Sequence, residues 1–205
     1  MSAPSISVLL CNYNYGRFIG QAIESVLAQT FSDFELIIVD DASTDDSRAV
    51  IAGYDDPRIH CHHHATNQGQ AAAFNTAFAA ARGDWIALLD SDDWWTPDKL
   101  ATLARWRAVL PDTVALWQHG LNVQQPDGQT WAYRRILASG DAFTNMRLTG
   151  VIDYFMPTSA LAFPRAVLAQ IMPIPAGLRI AADAYLTRCA IALGPVYAEP
   201  GCLGT

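Results

Sequence analysis

The stretch that decides the fold is WIALLDSDD, residues 85–93. An apolar run leads here directly into three carboxylates within four positions. A short, wholly apolar run is typical of a strand covered on both faces, as in a parallel sheet. Like charges packed this closely repel each other and resist burial, so the stretch predicts a positive partner where the strand ends.

The same arrangement of an apolar run followed by polar residues recurs through the N-terminal half. Strands are predicted over residues 6–10, 36–39, 58–64 and 85–89. Helices are predicted over residues 18–30, from a cap at Ser43 or Thr44 through 51, over 70–82, and from Thr96-Pro97 onward. Strands that alternate with helices imply an α/β fold with an open, mainly parallel, Rossmann-like sheet and helices on both faces.

The C-terminal half is more irregular. Strands are predicted over residues 114–123 and 130–136, joined by a turn, and near 159–163, and helices from Ala166 and over 180–193. The chain shows no internal repeat, low-complexity tract or linker. We therefore expect a single domain over residues 1–205.

The composition is that of a globular protein. The 205 residues are 51% hydrophobic and 16% charged, with a formal net charge of -7. This charge argues against general affinity for nucleic acid or anionic membrane. Four widely spaced cysteines, the lack of a signal-peptide pattern and the lack of a transmembrane run predict a cytoplasmic chain, either free or peripheral to the inner face of the membrane. An anchoring region could lie outside this chain.

The acidic residues after the 85–89 strand can be interpreted in two ways. Asp90 and Asp92 are one residue apart at a strand end, so both can face the same way and offer hard oxygen ligands to Mg²⁺ or Mn²⁺. Alternatively, this is an acidic loop in which Asp93 caps the following helix. Ligands bind beyond the carboxyl ends of strands in open parallel sheets, and polar clusters follow two other strands. That convergence favours a metal that is clamped onto substrate phosphates.

The polar clusters after the first two strands are less specific. Asp40-Asp41 could bind the base or ribose of a ligand, or could cap a helix and form a turn, and the two functions are compatible. Tyr13 could stack on a planar base or simply pack. The histidines of residues 60–64 alternate between two strand faces, which favours incidental histidines over a metal site. The glycine-rich phosphate loops of dinucleotide-binding and P-loop proteins do not occur in the sequence.

Five segments together resemble the opening of glycosyltransferase family 2. They are residues 7–14, 22–30, 34–45, the Asn67-x-Gly69 turn and 83–93. The resemblance implies a GT-A fold and inverting, metal-assisted transfer of a sugar from a nucleoside-diphosphate donor, with a UDP-sugar favoured, in polysaccharide biosynthesis. It also divides the domain into a nucleotide-sugar-binding half over residues 1–110 and an acceptor-side half over 111–205 that could be truncated at its C-terminus. The acceptor would be a glycan, a lipid-linked molecule or another hydroxyl compound.

The resemblance also assigns roles to individual residues. Cys11, Tyr13 and Asp41 would line the nucleoside pocket, Asp90 would face the ribose or the metal, Asp92 would be the main contact of the Mn²⁺ or Mg²⁺ cofactor, and Asp183 would be the general base that deprotonates the acceptor. Trp117, Trp131, Tyr133 and Tyr154 could provide sugar-stacking faces, or could belong to the core.

The sequence departs from the family pattern at three places. Ala182 stands where many members have an acid before the catalytic Asp, and Phe74 stands where many have Arg. Members often place an Arg-x-His segment after the last strand, whereas the last histidine here is His119. Either the domain is cut short, or the metal and diphosphate are enclosed differently.

Two alternatives to a transferase stay open. A non-catalytic nucleotide-sugar-binding module, or a truncated domain of a larger transferase, would bind the donor without transfer. A phosphohydrolase that uses Asp90 as nucleophile and Asp92 as acid/base would need a later lysine, and the only lysine after Asp93 is Lys99.

Overall fold

The computed structural model describes residues 3–125, 127–133, 139–149, 156–178 and 181–205. The strands in this part of the chain are β1 (Ile6–Asn12), β2 (Phe34–Asp40), β3 (Ile59–His63), β4 (Trp85–Asp90), β5 (Leu116–Gln124), β6 (Thr130–Tyr133), β7 (Leu161–Pro164) and β8 (Val196–Cys202). The helices are α1 (Gly16–Leu27), α2 (Ser47–Ala52), α3 (Gln70–Ala80), α4 (Lys99–Arg107), α5 (Ala142–Thr149), α6 (Arg165–Ile171) and α7 (Ala182–Ile191). A 3₁₀ turn, Thr158–Ala160, precedes β7. None of the described helices is long and apolar enough to span a bilayer.

All the strands belong to one sheet, in the order β3-β2-β1-β4-β7-β5-β6, with β8 paired to β5. The strands β3, β2, β1 and β4 are parallel, and β8 is parallel to β5. β7 is antiparallel to both of its neighbours, and β6 forms an antiparallel hairpin with β5. The predicted open, mainly parallel sheet is therefore confirmed.

Helices cover both faces of the sheet, as the sequence predicts. Along β1 the side chains alternate, since Val8 and Leu10 pack in one apolar cluster and Leu9 in the other. The first cluster includes the buried faces of α1, α2 and α4, and the second includes those of α3, α6 and α7. A strand buried on both faces is mostly apolar, which explains the apolar runs in the sequence. The buried exceptions Ser7 and Glu35 are hydrogen-bonded to each other at 2.6 Å.

The order of the strands positions the candidate site. The chain runs outward from β1 to β2 and β3, and then crosses to the other side of β1 to form β4. Ligands bind at such a switch point, beyond the carboxyl ends of the strands. The register places Cys11 of β1 beside Asp90 of β4, and Asn12 beside Asp40 of β2. The polar clusters that follow three strands in sequence therefore meet at one edge of the sheet.

The structure differs from the sequence-based expectations at several boundaries. The second helix is not capped by Ser43 or Thr44; it begins at Ser47, whose N–H donates to the carboxylate of Asp45 at 3.0 Å. The fourth helix begins at Lys99 rather than at Pro97. The helix α5 and the strand β8 are absent from the prediction. The ends of the predicted segments 130–136 and 180–193 include residues 134–136 and 180, which lie outside the described residues.

Candidate functional site

A cavity of about 520 Å³ opens at the carboxyl ends of β1, β2 and β4. The side chains predicted for the nucleotide and metal line it together: Cys11, Tyr13, Asp41, Asp90 and Asp92. Residues that sequence reasoning did not single out complete the wall, including the N-terminus of α3 at Gln70. These predicted residues are spread over 82 positions of the chain, and the parallel register brings them to one place.

Asp40 and Asp41 divide two tasks between them. Asp40 is fully buried, and its carboxylate accepts hydrogen bonds from Asn12 Nδ2 at 3.0 Å, Arg48 Nε at 2.7 Å and the Ser43 N–H at 3.1 Å. Burial raises the pKa of Asp40, but these hydrogen bonds outweigh it and hold the pKa below its ordinary value. Asp40 therefore organises the turn after β2, and Asp41 reaches the cavity.

The carboxylate of Asp41 holds the turn that leads into α3. It accepts the backbone N–H of Gln68 at 2.9 Å and of Gly69 at 2.7 Å, and lies 2.7 Å from His64 Nδ1. Gly69 has φ +91°, a conformation that glycine adopts readily and that a side chain would strain. Asp41 thus fixes the turn that forms one wall of the cavity, and His64 holds the Asp41 carboxylate in place.

The two non-acidic candidates differ in exposure. Tyr13 is 43% exposed and presents its ring at the cavity. The Cys11 thiol is enclosed, and burial, Asp90 and Asp41 raise its pKa well above the ordinary value. The raised pKa disfavours the thiolate, so Cys11 lines the wall as a thiol of low reactivity.

The turn after β4 concentrates negative charge. Burial, together with the charges of Asp93, Asp92 and Asp183, raises the pKa of Asp90 to about 7, against a hydrogen bond from Thr158 that lowers it. Burial and Asp92 likewise raise the pKa of Asp93 to about 6. No Lys, Arg or His of the described residues forms an ion pair with the turn carboxylates. The charged forms of Asp90 and Asp93 are therefore less favourable in this turn than in a free aspartate.

The carboxylate oxygens of this turn suit a hard divalent cation whose remaining coordination positions are filled by a bound ligand. Carboxylate oxygens are the atoms that Mg²⁺ and Mn²⁺ prefer, and two or three acids on one turn leave coordination positions for phosphate oxygens. Among the described residues, no three or more His, Cys, Asp or Glu side chains form a ready-made metal cage. This holds for the His60–His63 tract as well, whose side chains alternate along the edge strand β3.

The turn that carries Asp90, Asp92 and Asp93, called the acid turn below, is held in place by groups that lie far away in the sequence. The Ser159 hydroxyl accepts the Asp90 N–H at 3.0 Å and donates to the carboxylate of Asp93. The Ser159 carbonyl accepts Trp95 Nε1 at 2.8 Å, and the Ser91 hydroxyl donates to the Cys11 carbonyl at 3.0 Å. No sequence signal linked Ser159 to the turn, because 69 positions separate it from Asp90.

Asp183 lies in the first turn of α7. One of its carboxylate oxygens accepts the Ala184 N–H at 2.7 Å, and its charge acts on Asp90. The N–H of Ala182 contacts Gln70 Oε1 at 3.3 Å, which ties the start of this helix to a residue of the cavity wall. Asp183 is not among the lining residues, but it lies within electrostatic range of the acid turn.

The four aromatic residues considered for sugar stacking differ in burial and position. Trp117 is fully buried, so of the two roles that the sequence allowed it belongs to the core. Trp131 and Tyr133 line a second cavity, of about 830 Å³, on the other side of the acid turn. Tyr154 lies outside the described residues.

The chain matches the model described as Glycosyl transferase family 2 over residues 7–172. It is 40% identical over 199 residues to an uncharacterized glycosyltransferase of Nostoc sp., which covers 93% of this chain and 61% of that protein. The chain therefore spans less than two thirds of that relative.

Two solved structures share the fold. Staphylococcus aureus TarS in complex with UDP-GlcNAc superposes with a TM-score of 0.80 at 19% identity, over 98% of this chain and 57% of that one. The mannosyltransferase PcManGT of Pyrobaculum calidifontis, in complex with GDP-Man and Mn²⁺, superposes with a TM-score of 0.71 at 22% identity, over 98% and 56% of the two chains.

Proposed function

Because the chain belongs to glycosyl transferase family 2 and has the GT-A fold, we propose that it transfers a sugar from a nucleoside diphosphate to an acceptor hydroxyl, with inversion and with a divalent cation. The observation that carries the proposal is the convergence of Cys11, Tyr13, Asp41, Asp90 and Asp92 on one cavity at the switch point of the sheet. Residues 1–110 bind the donor in this proposal, and residues 111–205 face the acceptor.

The cavity suits the nucleoside end of the donor. Tyr13 offers an exposed ring for a planar base, and Asp41 and the Asn67 turn offer polar atoms in the same cavity. TarS is described with UDP-GlcNAc and PcManGT with GDP-Man, which supports a nucleoside-diphosphate donor. We favour a UDP-sugar.

The acid turn suits the diphosphate end. Asp92, with Asp90, would hold Mn²⁺ or Mg²⁺ together with the phosphates, as the charge of the turn requires. When bound, the cation would stabilise the negative charge that develops on the leaving diphosphate. The description of PcManGT with Mn²⁺ supports this assignment.

Asp183 is the proposed general base. It accepts the proton of the acceptor hydroxyl as the acceptor oxygen forms its bond to the anomeric carbon, and the bond from that carbon to the diphosphate breaks on the opposite face. The product is the glycosylated acceptor, and the nucleoside diphosphate leaves. Inversion follows from this single displacement.

The biological setting is proposed from the relatives. We propose a role in polysaccharide biosynthesis at the cytoplasmic side, either free or at the inner membrane face, with a glycan or a lipid-linked acceptor. Relatives of this kind include a putative teichuronic acid biosynthesis glycosyltransferase of Bacillus subtilis.

Donor binding tests the site directly. Calorimetry with UDP should show binding that requires Mn²⁺, and Asp92→Ala should weaken it by about tenfold or more, the factor for about 1.4 kcal/mol. Asp112→Asn is the matched control, because it also removes one exposed carboxylate but lies outside both cavities. Binding that ignores Mn²⁺, or no binding across UDP, GDP and other nucleoside diphosphates, would contradict the proposal.

Catalysis is tested separately with Asp183→Asn. This change keeps the shape of the side chain and removes the base, so UDP affinity should be retained while sugar transfer and donor hydrolysis fall by at least about a hundredfold. If Asp183→Asn leaves turnover unchanged, the assignment of the base is wrong. If the wild-type chain binds the donor but never turns it over, it acts as a donor-binding module.

A further inference from the structure

The cavity of about 830 Å³ lies against the acid turn but is separate from the nucleotide cavity. Asp92 lines both cavities, so the two meet at the turn where the sugar would be transferred. The β5–β6 hairpin lines this groove, and Arg17, Phe18 and Trp94 also line it.

The hairpin presents an apolar face to the groove. Register pairs Leu121 with Tyr133 and Val123 with Trp131, and residues directly opposite on antiparallel strands project from the same face. All four line the groove. Trp131 is 49% exposed, the largest exposure among the six tryptophans that the sequence contains. The rings of Trp131 and Tyr133 are 6.1 Å apart at 68°, which braces Trp131 from its edge.

The remaining lining is mixed. Phe18, Trp94 and Pro157 add apolar surface, whereas β5 and the residue Gln125 add polar atoms, and Asp92 and Asp93 add carboxylates. A flat aromatic surface beside amides and carboxylates matches a pyranose ring, which has apolar C–H faces and a rim of hydroxyl groups. A purely hydrocarbon ligand would leave these polar groups desolvated without partners.

We propose that this groove binds a sugar residue of the acceptor, stacked on Trp131 and directed toward Asp92. The proposal rests on the proposed function, which gives the acceptor its identity, and it makes the hairpin the determinant of acceptor specificity. Continuity through Asp92 supports the assignment, because an acceptor in the groove lies next to a donor in the nucleotide cavity.

The test uses saturation-transfer NMR of the chain with the methyl glycosides of glucose, galactose, mannose and N-acetylglucosamine, in the presence of UDP and Mg²⁺, which is diamagnetic and does not broaden the ligand signals as Mn²⁺ would. At least one glycoside should bind, and Trp131→Ala should weaken it by about tenfold, as expected for the loss of one aromatic stacking contact. Trp131→Phe, which keeps an aromatic face, should retain most of the affinity. Leu148→Ala, at an exposed position outside both cavities, should change nothing.

Three results would overturn the proposal: no glycoside binds, binding survives Trp131→Ala, or a short prenyl phosphate occupies the groove in place of the glycosides. UDP affinity measured on the same samples distinguishes a failure of the groove proposal from a failure of the transferase proposal. A chain that binds UDP with Mg²⁺ but no glycoside refutes the groove alone. A chain that binds a glycoside at Trp131 but no nucleotide refutes the transferase and, with it, the acceptor assignment.

Discussion

Replacing Ser159 with Ala should loosen the acid turn through the loss of a single oxygen atom. That hydroxyl accepts the Asp90 N–H at 3.0 Å and donates to the carboxylate of Asp93. Ser159 is fully buried, so a water molecule cannot readily take its place. The bond from Trp95 Nε1 to the Ser159 carbonyl involves the backbone and survives the change.

The magnitude follows from the two lost contacts. A buried N–H without a partner costs about 1–3 kcal/mol, and a hydrogen bond to a charged group contributes about 1.5–3 kcal/mol. Asp93 is half-buried and regains part of its hydration, so we expect the free energy of unfolding to fall by about 2–4 kcal/mol. For a chain of this size, that corresponds to a drop in Tm on the order of 10 °C.

Urea unfolding followed by circular dichroism measures the effect. Ser91→Ala is the matched control at the same turn, because it removes one neutral hydrogen bond, to the Cys11 carbonyl, and should cost about 1 kcal/mol. Mn²⁺-dependent UDP affinity should also weaken in Ser159→Ala. If Ser159→Ala is no less stable than Ser91→Ala, the hydroxyl does not support the turn and the reasoning fails.

Three further changes test the packing around the sheet. Burial raises the pKa of the Glu35 carboxyl, but hydrogen bonds from Ser7 and Arg82 outweigh it and hold that pKa below the ordinary 4.5. The wild type therefore keeps this stabilisation above pH 4.5 and loses it as the pH falls through the lowered pKa, so Arg82→Leu should begin acid unfolding at a higher pH in a circular-dichroism titration. Gly83→Ala would bring a methyl group to 2.5 Å from the Ser7 backbone nitrogen, and thermal melting should show a loss of about 1–3 kcal/mol. Lys99 is fully buried, and among the described residues its amine has no hydrogen-bond partner and lies 3.1 Å from the centroid of the Trp95 ring. Burial lowers its pKa well below 10.5, so between that lowered pKa and 10.5 the folded chain binds fewer protons than the unfolded chain. Lys99→Met should then raise stability by about 1–3 kcal/mol at pH 7 and remove the rise in stability with pH below 10.5.

The N-terminal half of the fold could be predicted because β1, β2 and β4 are buried on both faces. The run at residues 36–39 is too short for a helix and is typical of a strand under two layers of helix. The strand β8 could not be found in this way, since it carries Glu199, Pro200 and Gly201 and reads as a turn. It forms because β5 offers it a parallel partner, with Trp117 beside Tyr197. The pairing with β5 therefore outweighed the low strand propensity of the β8 residues.

The candidate site, like the fold, could be predicted from the sequence only in part. The acids at the ends of β2 and β4 could be recognised because each follows an apolar run, and their convergence follows from parallel pairing. The sequence could not reveal that Asp41 is held by His64 and the Gly69 turn, or that Ser159 supports Asp90. Such contacts depend on where distant loops come to lie. The sequence alone did not distinguish Trp117 from Trp131. Their burial in the folded chain shows that Trp117 belongs to the core and that Trp131 is exposed.

The insertion of β7 between β4 and β5 also sets the order in which the chain can assemble. Strands β1 to β4 are complete by residue 90, whereas the β7 partner of β4 arrives only with residues 161–164. During synthesis from the N-terminus, β4 therefore emerges long before the strand that covers its outer edge. An open, apolar strand edge is a template for pairing with other chains. The nascent protein is thus most vulnerable to aggregation while residues 91–160 are being made, at the same edge that later becomes the centre of the sheet.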